Sequence, residues 1–475
     1  MHFKTLQHLQ QELVAGSTSC VQVVESYLEN IHQQTHLNAF LEVFEEEALQ
    51  KAKDIDAKVA AKKQGKLAGL VVGLKDNISY KNHAVSASSK ILNGYKAVYN
   101  ATVVERLLQE DAIIIGRLNC DEFAMGASNE NSAFGPVLNA QDNTRVPGGS
   151  SGGSAVAVQA NLCRVALGSD TGGSIRQPSS FTGTFGMKPT YGRVSRWGLL
   201  AYASSFDQIG PVTTSVEDMA AVLEVISGID ENDATVSEVS VPNYLANLKP
   251  SNKKRIAVIE DCLTADGISP DVKTHLNQAI EALKADGNEV EMVSFPYLDY
   301  MVPCYYVLTT AEASSNLSRY SGLVFGHRSQ EAHDLESTFK LSRTEGFGSE
   351  VKRRIMAGTF VLSSDYYDAY YTKAQKVRRV IQNETQKILD EYDFILLPTT
   401  PTEAFKLGEK SNDPIAMYLA DIFTVQAPLA GIPAISLPTG TAKSGMPFGL
   451  QLMARHYEEL DLLSMSKYLY ELMQD

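Results

Sequence analysis

A glycine- and serine-rich segment, residues 148–192, carries the residue types in this sequence best suited to chemistry. It holds ten glycines in 45 residues, where the average of 33 in 475 would give about three. Two of its serines, Ser150 and Ser174, lie in glycine-rich turns at the two ends of a predicted helix and strand. Glycine tolerates positive φ and lacks a Cβ, so such turns bring backbone N–H groups and a hydroxyl close to a ligand. The pattern indicates an anion-binding loop or a serine nucleophile with an oxyanion hole.

A flexible linker and a phosphate-binding loop are the competing interpretations. Linkers are rich in glycine and serine, but here an apolar run (155–162) and a strand-like run (164–168) separate the turns. A P-loop needs a lysine directly after its last glycine, whereas Ser154 follows Gly153. The dinucleotide spacing G-x-G-x-x-G is also missing. The sequence therefore favours the nucleophile, and phosphate binding stays open without support.

A serine nucleophile needs a base within hydrogen-bond reach. None of the nine histidines lies beside the segment, although a distant histidine can still meet a serine in the fold. Lysine is the other option, and Lys75 ends an apolar run that begins at Leu70. For half of its amine to be neutral near pH 7, the pKa of Lys75 must fall by about 3.4 from its usual value, which requires a dry pocket. Considered alone, Lys75 is more typical of a solvated turn.

Three features together resemble the amidase signature family: Lys75, GGSSGGS at 148–154 and GSDTGGSIRQP at 168–178. In that family a catalytic lysine precedes a bridging serine by 75 residues, and the nucleophilic serine follows 24 residues later. Lys75, Ser150 and Ser174 match both spacings. The resemblance implies that neutral Lys75 takes a proton through Ser150, while Ser174 attacks an amide carbonyl.

The resemblance also assigns roles around the nucleophile. The backbone N–H groups of Thr171, Gly172 and Gly173 would stabilise the negative charge on the carbonyl oxygen. Asp170 and Arg176 would hold the loop without taking part in proton transfer. The peptide bond before Ser150 would be cis.

The rest of the chain predicts an α/β fold. Buried strands are expected at Arg255–Ile259, Phe394–Pro398 and Ala434–Pro438, the last two ended by proline. Helices are expected at 269–286 and 364–392. This order predicts a mixed, twisted central sheet with helices on both faces, which is also the fold that the resemblance implies.

Length and composition limit the remaining possibilities. We predict one domain over residues 1–475, with a polar bridge across the surface near 228–252. The net charge of −14 argues against broad nucleic-acid binding by this chain alone. No apolar run approaches the ~20 residues that span a bilayer, and no targeting segment is evident. Five scattered cysteines argue against a zinc site or a disulfide framework, so we expect a cytoplasmic protein without a metal.

Further segments resemble one subfamily, the A subunits of glutamyl-tRNA(Gln) amidotransferases; they are Lys188–Val212, Cys304–Gly322, Gly346–Phe360 and Tyr418–Gly440. The subfamily binds glutamine with an arginine and an aspartate, which suit its carboxylate and ammonium groups. The matching positions are Arg354 and Asp421, with Tyr305 as a wall or hydrogen-bond partner. Without the resemblance, Arg354 would be taken for a surface charge, because Lys352 and Arg353 precede it.

The implied function is glutamine hydrolysis that supplies ammonia within a heterotrimer of A, B and C subunits. The B subunit would use ATP and Mg²⁺ to convert Glu-tRNA(Gln) to Gln-tRNA(Gln) and would make most tRNA contacts, while this chain carries no cofactor. A stand-alone amidase acting on small or aryl amides and a scaffold with a vestigial site are the alternatives. The sequence does not decide whether Asn-tRNA(Asn) is also made.

Overall fold

The computed structural model describes residues 3–250, 253–264, 267–410, 417–418 and 420–474. Its centre is a sheet of eleven strands: β1 Phe40–Val43, β2 Val71–Lys75, β3 Ile113–Leu118, β4 Val165–Asp170, β5 Phe185–Lys188, β6 Gln208–Thr213, β7 Arg255–Ile259, β8 Glu289–Val293, β9 Phe394–Pro398, β10 Ala434–Thr441 and β11 Pro447–Met453. Their order across the sheet is β1-β3-β2-β4-β6-β5-β10-β11-β9-β7-β8.

Sixteen α-helices accompany the strands in the described residues. They are α1 Leu6–Ala15, α2 Cys20–Gln33, α3 Glu45–Ala60, α4 Thr102–Gln109, α5 Gly152–Gln159, α6 Arg176–Thr182, α7 Val216–Ile226, α8 Tyr244–Asn247, α9 Asp261–Thr264, α10 Pro270–Ala285, α11 Leu298–Asn316, α12 Leu335–Gly346, α13 Ser349–Val361, α14 Lys373–Glu391, α15 Gln426–Ala430 and α16 Glu459–Leu472. A π-helical turn, Asp368–Thr372, precedes α14.

The sheet is mixed, as the sequence predicted. Strands β3, β2 and β4 are parallel, as are β9, β7 and β8, and antiparallel pairs join these groups through β6, β5, β10 and β11. Strand β2 is buried at every residue, which suits a central parallel strand. Because β2 and β4 are parallel neighbours, their carboxyl ends place Lys75 beside Ser169 and Asp170 at one edge of the sheet.

Helices cover both faces of the sheet. Side chains alternate between faces along a strand, and in β7 Ile256 and Val258 join one apolar core while Ala257 and Ile259 join another. The first core contains residues of α1 to α4, α7, α10 and α16, and the second contains residues of α11, α13, α14 and α15. Across the described residues, none of the helices has the length and apolar character to traverse a bilayer.

Two element boundaries differ from the sequence prediction. Strand β10 does not end at Pro438 but continues to Thr441, past an irregularity in its pairing with β11 between Leu437 and Gly440. Proline is tolerated at such a bulge because no ladder N–H is required there. The helix expected from residue 364 begins only at Lys373, after the π-helical turn.

The predicted surface bridge is described up to residue 250, and residues 251–252 lie outside the described part of the chain. Residues 228–250 form an irregular segment, in which α8 is the one helix described. Most of its side chains are partly or fully exposed, but Tyr244 is buried in the first core. The segment is therefore anchored to the domain by an aromatic side chain.

Candidate active site

Lys75 lies completely buried at the carboxyl end of β2. Its Nζ is 2.7 Å from Ser150 Oγ, 2.8 Å from Ser151 Oγ and 2.9 Å from Ser169 Oγ. The side chain therefore does not form a solvated turn, the structure that Lys75 suggests when it is considered alone. It is an amine surrounded by three hydroxyl groups.

The loop that carries Ser150 is held on both sides. Its Gly149–Ser150 peptide bond is cis. The Gly149 N–H donates to Gln177 Oε1 at 2.9 Å, and the Ser150 carbonyl accepts from the Asp121 N–H at 3.1 Å. Ser150 is fully buried, so its hydroxyl stays beside Lys75.

Ser174 lies in the turn between β4 and α6, directly before Ile175, the N-cap residue of α6. It is 8% exposed, whereas Lys75 and Ser150 are inaccessible, so Ser174 is the member of the set that a substrate can reach. The Ser151 N–H donates to the Ser174 carbonyl at 3.0 Å, which ties the two serine loops together. In the described part of the chain, the Ser150 hydroxyl hydrogen-bonds to Lys75 and not to Ser174.

Burial lowers the pKa of Lys75 to about 8. The negative charges of nearby groups, Asp121, Asp170 and Asp207 among them, favour the ammonium form and oppose this shift. About one-tenth of the amine is then neutral at pH 7, and half is neutral at pH 8. Lys75 can therefore accept a proton near neutral pH.

The turn around Ser174 is fixed by a buried ion pair. Arg176 contacts Asp170 with both Nε and Nη2, each at 2.9 Å, and both side chains are inaccessible. Burial would raise the pKa of Asp170, but the Arg176 guanidinium outweighs it and holds that pKa below its usual value. Asp170 therefore remains a carboxylate, and its Oδ1 accepts from the Gly173 N–H at 2.8 Å.

The three predicted oxyanion donors differ in their surroundings. Because the Gly173 N–H already donates to Asp170, it would have to be shared with an oxyanion. Among the described residues, the Gly172 N–H has no acceptor. The Thr171 hydroxyl donates to Asp207 Oδ1 at 2.7 Å, which fixes the residue next to Gly172. Gly172 is thus the predicted donor whose N–H is left available in this geometry.

Tyr305 of α11 closes one side of the turn. It is buried, and a Cβ placed on Gly172 would lie 2.5 Å from the Tyr305 ring and hydroxyl. Thr424 closes another side, because its hydroxyl donates to the Gly172 carbonyl at 2.6 Å. Close packing against Tyr305 explains why glycine is required at position 172, and close packing against Thr424 does the same at position 173.

Arg354 of α13 lies inside the protein, whereas its neighbour Arg353 is at the surface with a side chain 49% exposed. Arg354 Nε donates to Glu350 Oε1 at 2.8 Å, and Arg354 Nη1 donates to the Tyr202 hydroxyl at 3.0 Å. The guanidinium also lies 5.2 Å from the ring centre of Tyr306, within the range of a cation–π contact. The tyrosines and Glu350 hold the arginine in one orientation.

Asp421 also contacts Tyr306, whose hydroxyl donates to Asp421 Oδ2 at 3.1 Å. Burial raises the pKa of Asp421 to about 7, although the Tyr306 hydrogen bond and the Arg354 charge oppose the shift. Thr424 links this residue to the nucleophile turn, since its Oγ1 lies 3.0 Å from the Asp421 carbonyl as well as against Gly172. Thr424 therefore connects Asp421 to the turn of Ser174, and Tyr306 connects Asp421 to Arg354.

Comparison with known proteins identifies the family. A family model described as Amidase matches residues 22–463. The chain belongs to the amidase signature family. It is 50% identical over 470 residues to the A subunit of glutamyl-tRNA(Gln) amidotransferase from Chlorobium phaeobacteroides (strain BS1), covering 98% of each chain.

Solved structures agree with this assignment. The crystal structure of the glutamyl-tRNA(Gln) amidotransferase A subunit from Thermotoga maritima superposes with a TM-score of 0.79 at 41% identity, covering 95% of this chain and 91% of that one. The native peptide amidase from Stenotrophomonas maltophilia superposes with a TM-score of 0.84 at 29% identity, covering 99% and 97%. The predicted mixed sheet flanked by helices is thus confirmed as an amidase signature fold.

The structure places Lys75 against Ser150, Tyr305 against Gly172, and Asp421 within reach of the Gly172 turn through Thr424, while Arg354 contacts none of the predicted catalytic residues directly. Sequence reasoning missed several neighbours of these residues. Glu350, Tyr202, Tyr306 and Tyr418 surround Arg354. Glu350 had a usable signal, because it precedes Arg354 by four residues on one helix, the spacing at which opposite charges meet. Tyr202 lies 152 positions from Arg354, and nothing in the sequence points to their contact.

Proposed function

We propose that this amidase-family chain is the glutaminase subunit of a tRNA-dependent amidotransferase. It would hydrolyse glutamine with Lys75, Ser150 and Ser174 and pass the ammonia to a partner that converts Glu-tRNA(Gln) to Gln-tRNA(Gln). The observation that carries the proposal is a buried site in which Lys75 Nζ lies 2.7 Å from Ser150 Oγ. Thr424 connects Asp421 to the turn of Ser174, and Arg354 lies against Tyr306, which donates to Asp421.

The proposed proton relay runs from Ser174 through Ser150 to the neutral amine of Lys75. Neutral Lys75 would accept the proton of Ser150 while Ser150 accepts that of Ser174, since a hydroxyl both donates and accepts. Ser174 Oγ would then bond to the amide carbon, and the oxygen would meet the N–H groups of Gly172 and Thr171. A donor of this kind is worth about 2.7–4 kcal/mol in the transition state. Ammonia would leave with the returned proton, and water would hydrolyse the acyl-enzyme.

The charges of Arg354 and Asp421 support glutamine as the substrate. The guanidinium of Arg354 suits the substrate carboxylate, and ionised Asp421 suits the ammonium. Glu350 and Tyr202 occupy Nε and Nη1 of Arg354, so Nη2 is the nitrogen best placed for the substrate. An amide that lacks one of these charged groups would leave Arg354 Nη2 or the Asp421 carboxylate without the opposite charge that glutamine supplies.

The names of the relatives and the surface support assembly with partner subunits. The relatives are named as subunits. Eleven of the twenty exposed large apolar side chains in the described residues fall within residues 300–370, and Met356 and Phe360 on α13 are among them. We call the exposed apolar side chains of residues 300–370 the apolar face. A B subunit docked on it would supply the ATP and Mg²⁺ chemistry and most tRNA contacts, while the C subunit completes a cytoplasmic heterotrimer.

The decisive experiment combines the chain with its partner subunits and assays Gln-tRNA(Gln) formation from Glu-tRNA(Gln), glutamine, ATP and Mg²⁺. We expect product with the natural chain and none with Ser174→Ala unless ammonium chloride replaces glutamine. Rapid hydrolysis of aryl amides without partners, together with no glutaminase activity, would instead favour a stand-alone amidase. Glutamine-dependent product with Ser174→Ala would leave only a scaffold role.

A further inference from the structure

The contacts of Lys75 raise the question of where its lone pair points. Three hydroxyl oxygens surround Nζ, so a protonated Lys75 can donate one N–H to each of Ser150, Ser151 and Ser169. A neutral amine has two N–H bonds and one lone pair. The amine can act as the base of the proposed relay only when the lone pair faces Ser150.

Ser151 cannot donate a hydrogen bond to the lone pair of Lys75, because its hydroxyl proton is engaged elsewhere. Its hydroxyl donates to the Ser169 carbonyl at 3.1 Å and accepts from the Ser169 N–H at 3.3 Å. The remaining contact, to Lys75 at 2.8 Å, must therefore be one in which Ser151 accepts. This contact fixes one N–H of the amine.

Ser169 presents two acceptor atoms to the amine. Its Oγ lies 2.9 Å from Nζ and its carbonyl oxygen 3.4 Å, so an N–H pointing there is received by both. The Asn77 amide donates to the same Oγ at 2.9 Å and holds that hydroxyl in place. Because the carbonyl oxygen can only accept, the second N–H of the amine is directed at Ser169.

We propose that Ser151 and Ser169 are positioning residues that occupy the two N–H bonds of neutral Lys75 and so aim its lone pair at Ser150. The inference rests on the proposed function and adds two residues to its mechanism. As Ser174 attacks, the Ser150 proton moves to Lys75 Nζ and the Ser174 proton moves to Ser150 Oγ. Both positioning contacts are unchanged by this transfer, since neither Ser151 nor Ser169 gives up a proton.

Charged and titratable groups from other elements also face Lys75. They are Cys120 and Asp121 after β3, Asp170 at the end of β4, and Asp207 before β6. In the described part of the chain none of these side chains hydrogen-bonds to Nζ. They therefore shift the pKa of Lys75 without setting the direction of its lone pair. Burial raises the pKa of the Cys120 thiol to about 12, which keeps that group neutral in the working range.

The test compares two serines of similar surroundings. Ser154 is also buried on α5 and donates to a β4 carbonyl, that of Leu167 at 3.1 Å, and among the described contacts it makes none with Lys75. Ser151→Ala is the test variant and Ser154→Ala is its matched control. Ser151 precedes α5 without a side-chain capping bond, so its hydroxyl is not needed to start the helix.

The readout is the rate at which a fluorophosphonate modifies Ser174 between pH 6 and 10. In this reaction Ser174 Oγ bonds to phosphorus, fluoride leaves, and the proton passes to Lys75. We expect Ser151→Ala to slow the plateau rate by about 10- to 100-fold, the effect of a misplaced catalytic group. Ser154→Ala should react as the natural chain does.

The pH profile separates positioning from a loosened structure. Bonds from an ammonium are stronger than those from an amine, so losing the Ser151 acceptor should move the acid limb of the profile to lower pH. Water entering a loosened site would relieve burial and move the limb to higher pH instead.

Ser169→Ala and Ser169→Thr give the second test. The alanine variant should react about 10-fold more slowly, and the threonine variant should restore the rate because it keeps the hydroxyl. If Ser169→Ala reacts as fast as the natural chain or faster, or if Ser151→Ala matches Ser154→Ala in rate and pH profile, the positioning inference is wrong. If the natural chain is not modified at Ser174 at all, the proposed function fails instead. A Ser151→Ala chain that does not fold leaves the decision to the Ser169 pair.

Discussion

At the scale of single residues, Lys75 owes its chemistry to burial rather than to a special side chain. Since burial lowers its pKa to about 8 and the neutral amine is the base, the rate should rise tenfold per pH unit below 8 and level off above it. Glutaminase rates of the assembled enzyme at saturating glutamine, measured from pH 6 to 10, give this limb. Lys75→Met should abolish the activity over the whole range, and a rate independent of pH below 8 would contradict the assignment.

Arg354 and Arg353 form a natural matched pair, because one is buried and the other exposed. Lysine keeps the charge but loses the planar fork. Losing hydrogen bonds to a charged group costs about 1.5–3 kcal/mol, so Arg354→Lys should weaken glutamine binding by roughly 10- to 150-fold. Titration calorimetry in a Ser174→Ala background measures this. Arg353→Lys should bind glutamine as the parent does, and equal losses in the two variants would place the carboxylate site elsewhere.

Asp421 gives the binding step its own pH dependence. Its pKa is raised to about 7, and only the carboxylate can pair with the glutamine ammonium. Glutamine affinity in the Ser174→Ala background should therefore fall about tenfold per pH unit below pH 7 and remain constant just above it. Asp421→Asn should bind weakly with no such slope. A slope that persists in the asparagine variant would have to come from another group.

At the scale of elements, the turn between β4 and α6 depends on the ion pair of Asp170 and Arg176. Removing one partner leaves a buried, uncompensated charge, so Arg176→Met should lower the free energy of unfolding by about 3–5 kcal/mol. The double variant Asp170→Asn/Arg176→Met should lose less. Urea unfolding measures both, and the exposed pair Lys284–Glu281 supplies the control, since Lys284→Met should change stability by under about 1 kcal/mol.

The strands and helices also show which features of the fold can be predicted from the sequence. The strands at Arg255–Ile259 and Phe394–Pro398 and the helix near 269–286 are encoded locally by apolar runs and an N-cap serine, and they appear where predicted. The continuation of β10 past Pro438 depends on a bulge against β11, which is a tertiary feature. Motif spacing located Lys75, Ser150 and Ser174. The support given to Arg354 by Tyr202 and Tyr306 comes from distant segments that only the fold brings together.

At the scale of the whole molecule, Arg354 and two residues of the apolar face lie on the same helix, α13. Arg354 points from this helix into the core beside Tyr202, while Met356 and Phe360 are 67% and 46% exposed on the same helix. A partner covering the apolar face would therefore pack on the helix that carries the proposed glutamine-binding arginine. Isolated apolar side chains at a surface need no explanation, but a contiguous patch marks an interaction site. Within the apolar face, the ring of Phe360 contacts those of Tyr366 and Tyr370.

The resulting prediction concerns assembly. Replacing Met356 and Phe360 by aspartate should prevent formation of the complex with the partner subunits, because two charges would have to be buried in the interface. Fluorophosphonate modification of Ser174 and thermal unfolding should stay within twofold and a few degrees of the natural chain, since both side chains are exposed. Size-exclusion chromatography with light scattering measures assembly. Val98→Asp, at an equally exposed apolar side chain outside residues 300–370, is the control and should assemble normally. Assembly that survives the double substitution but fails with Val98→Asp would place the partner near Val98 rather than on Met356 and Phe360.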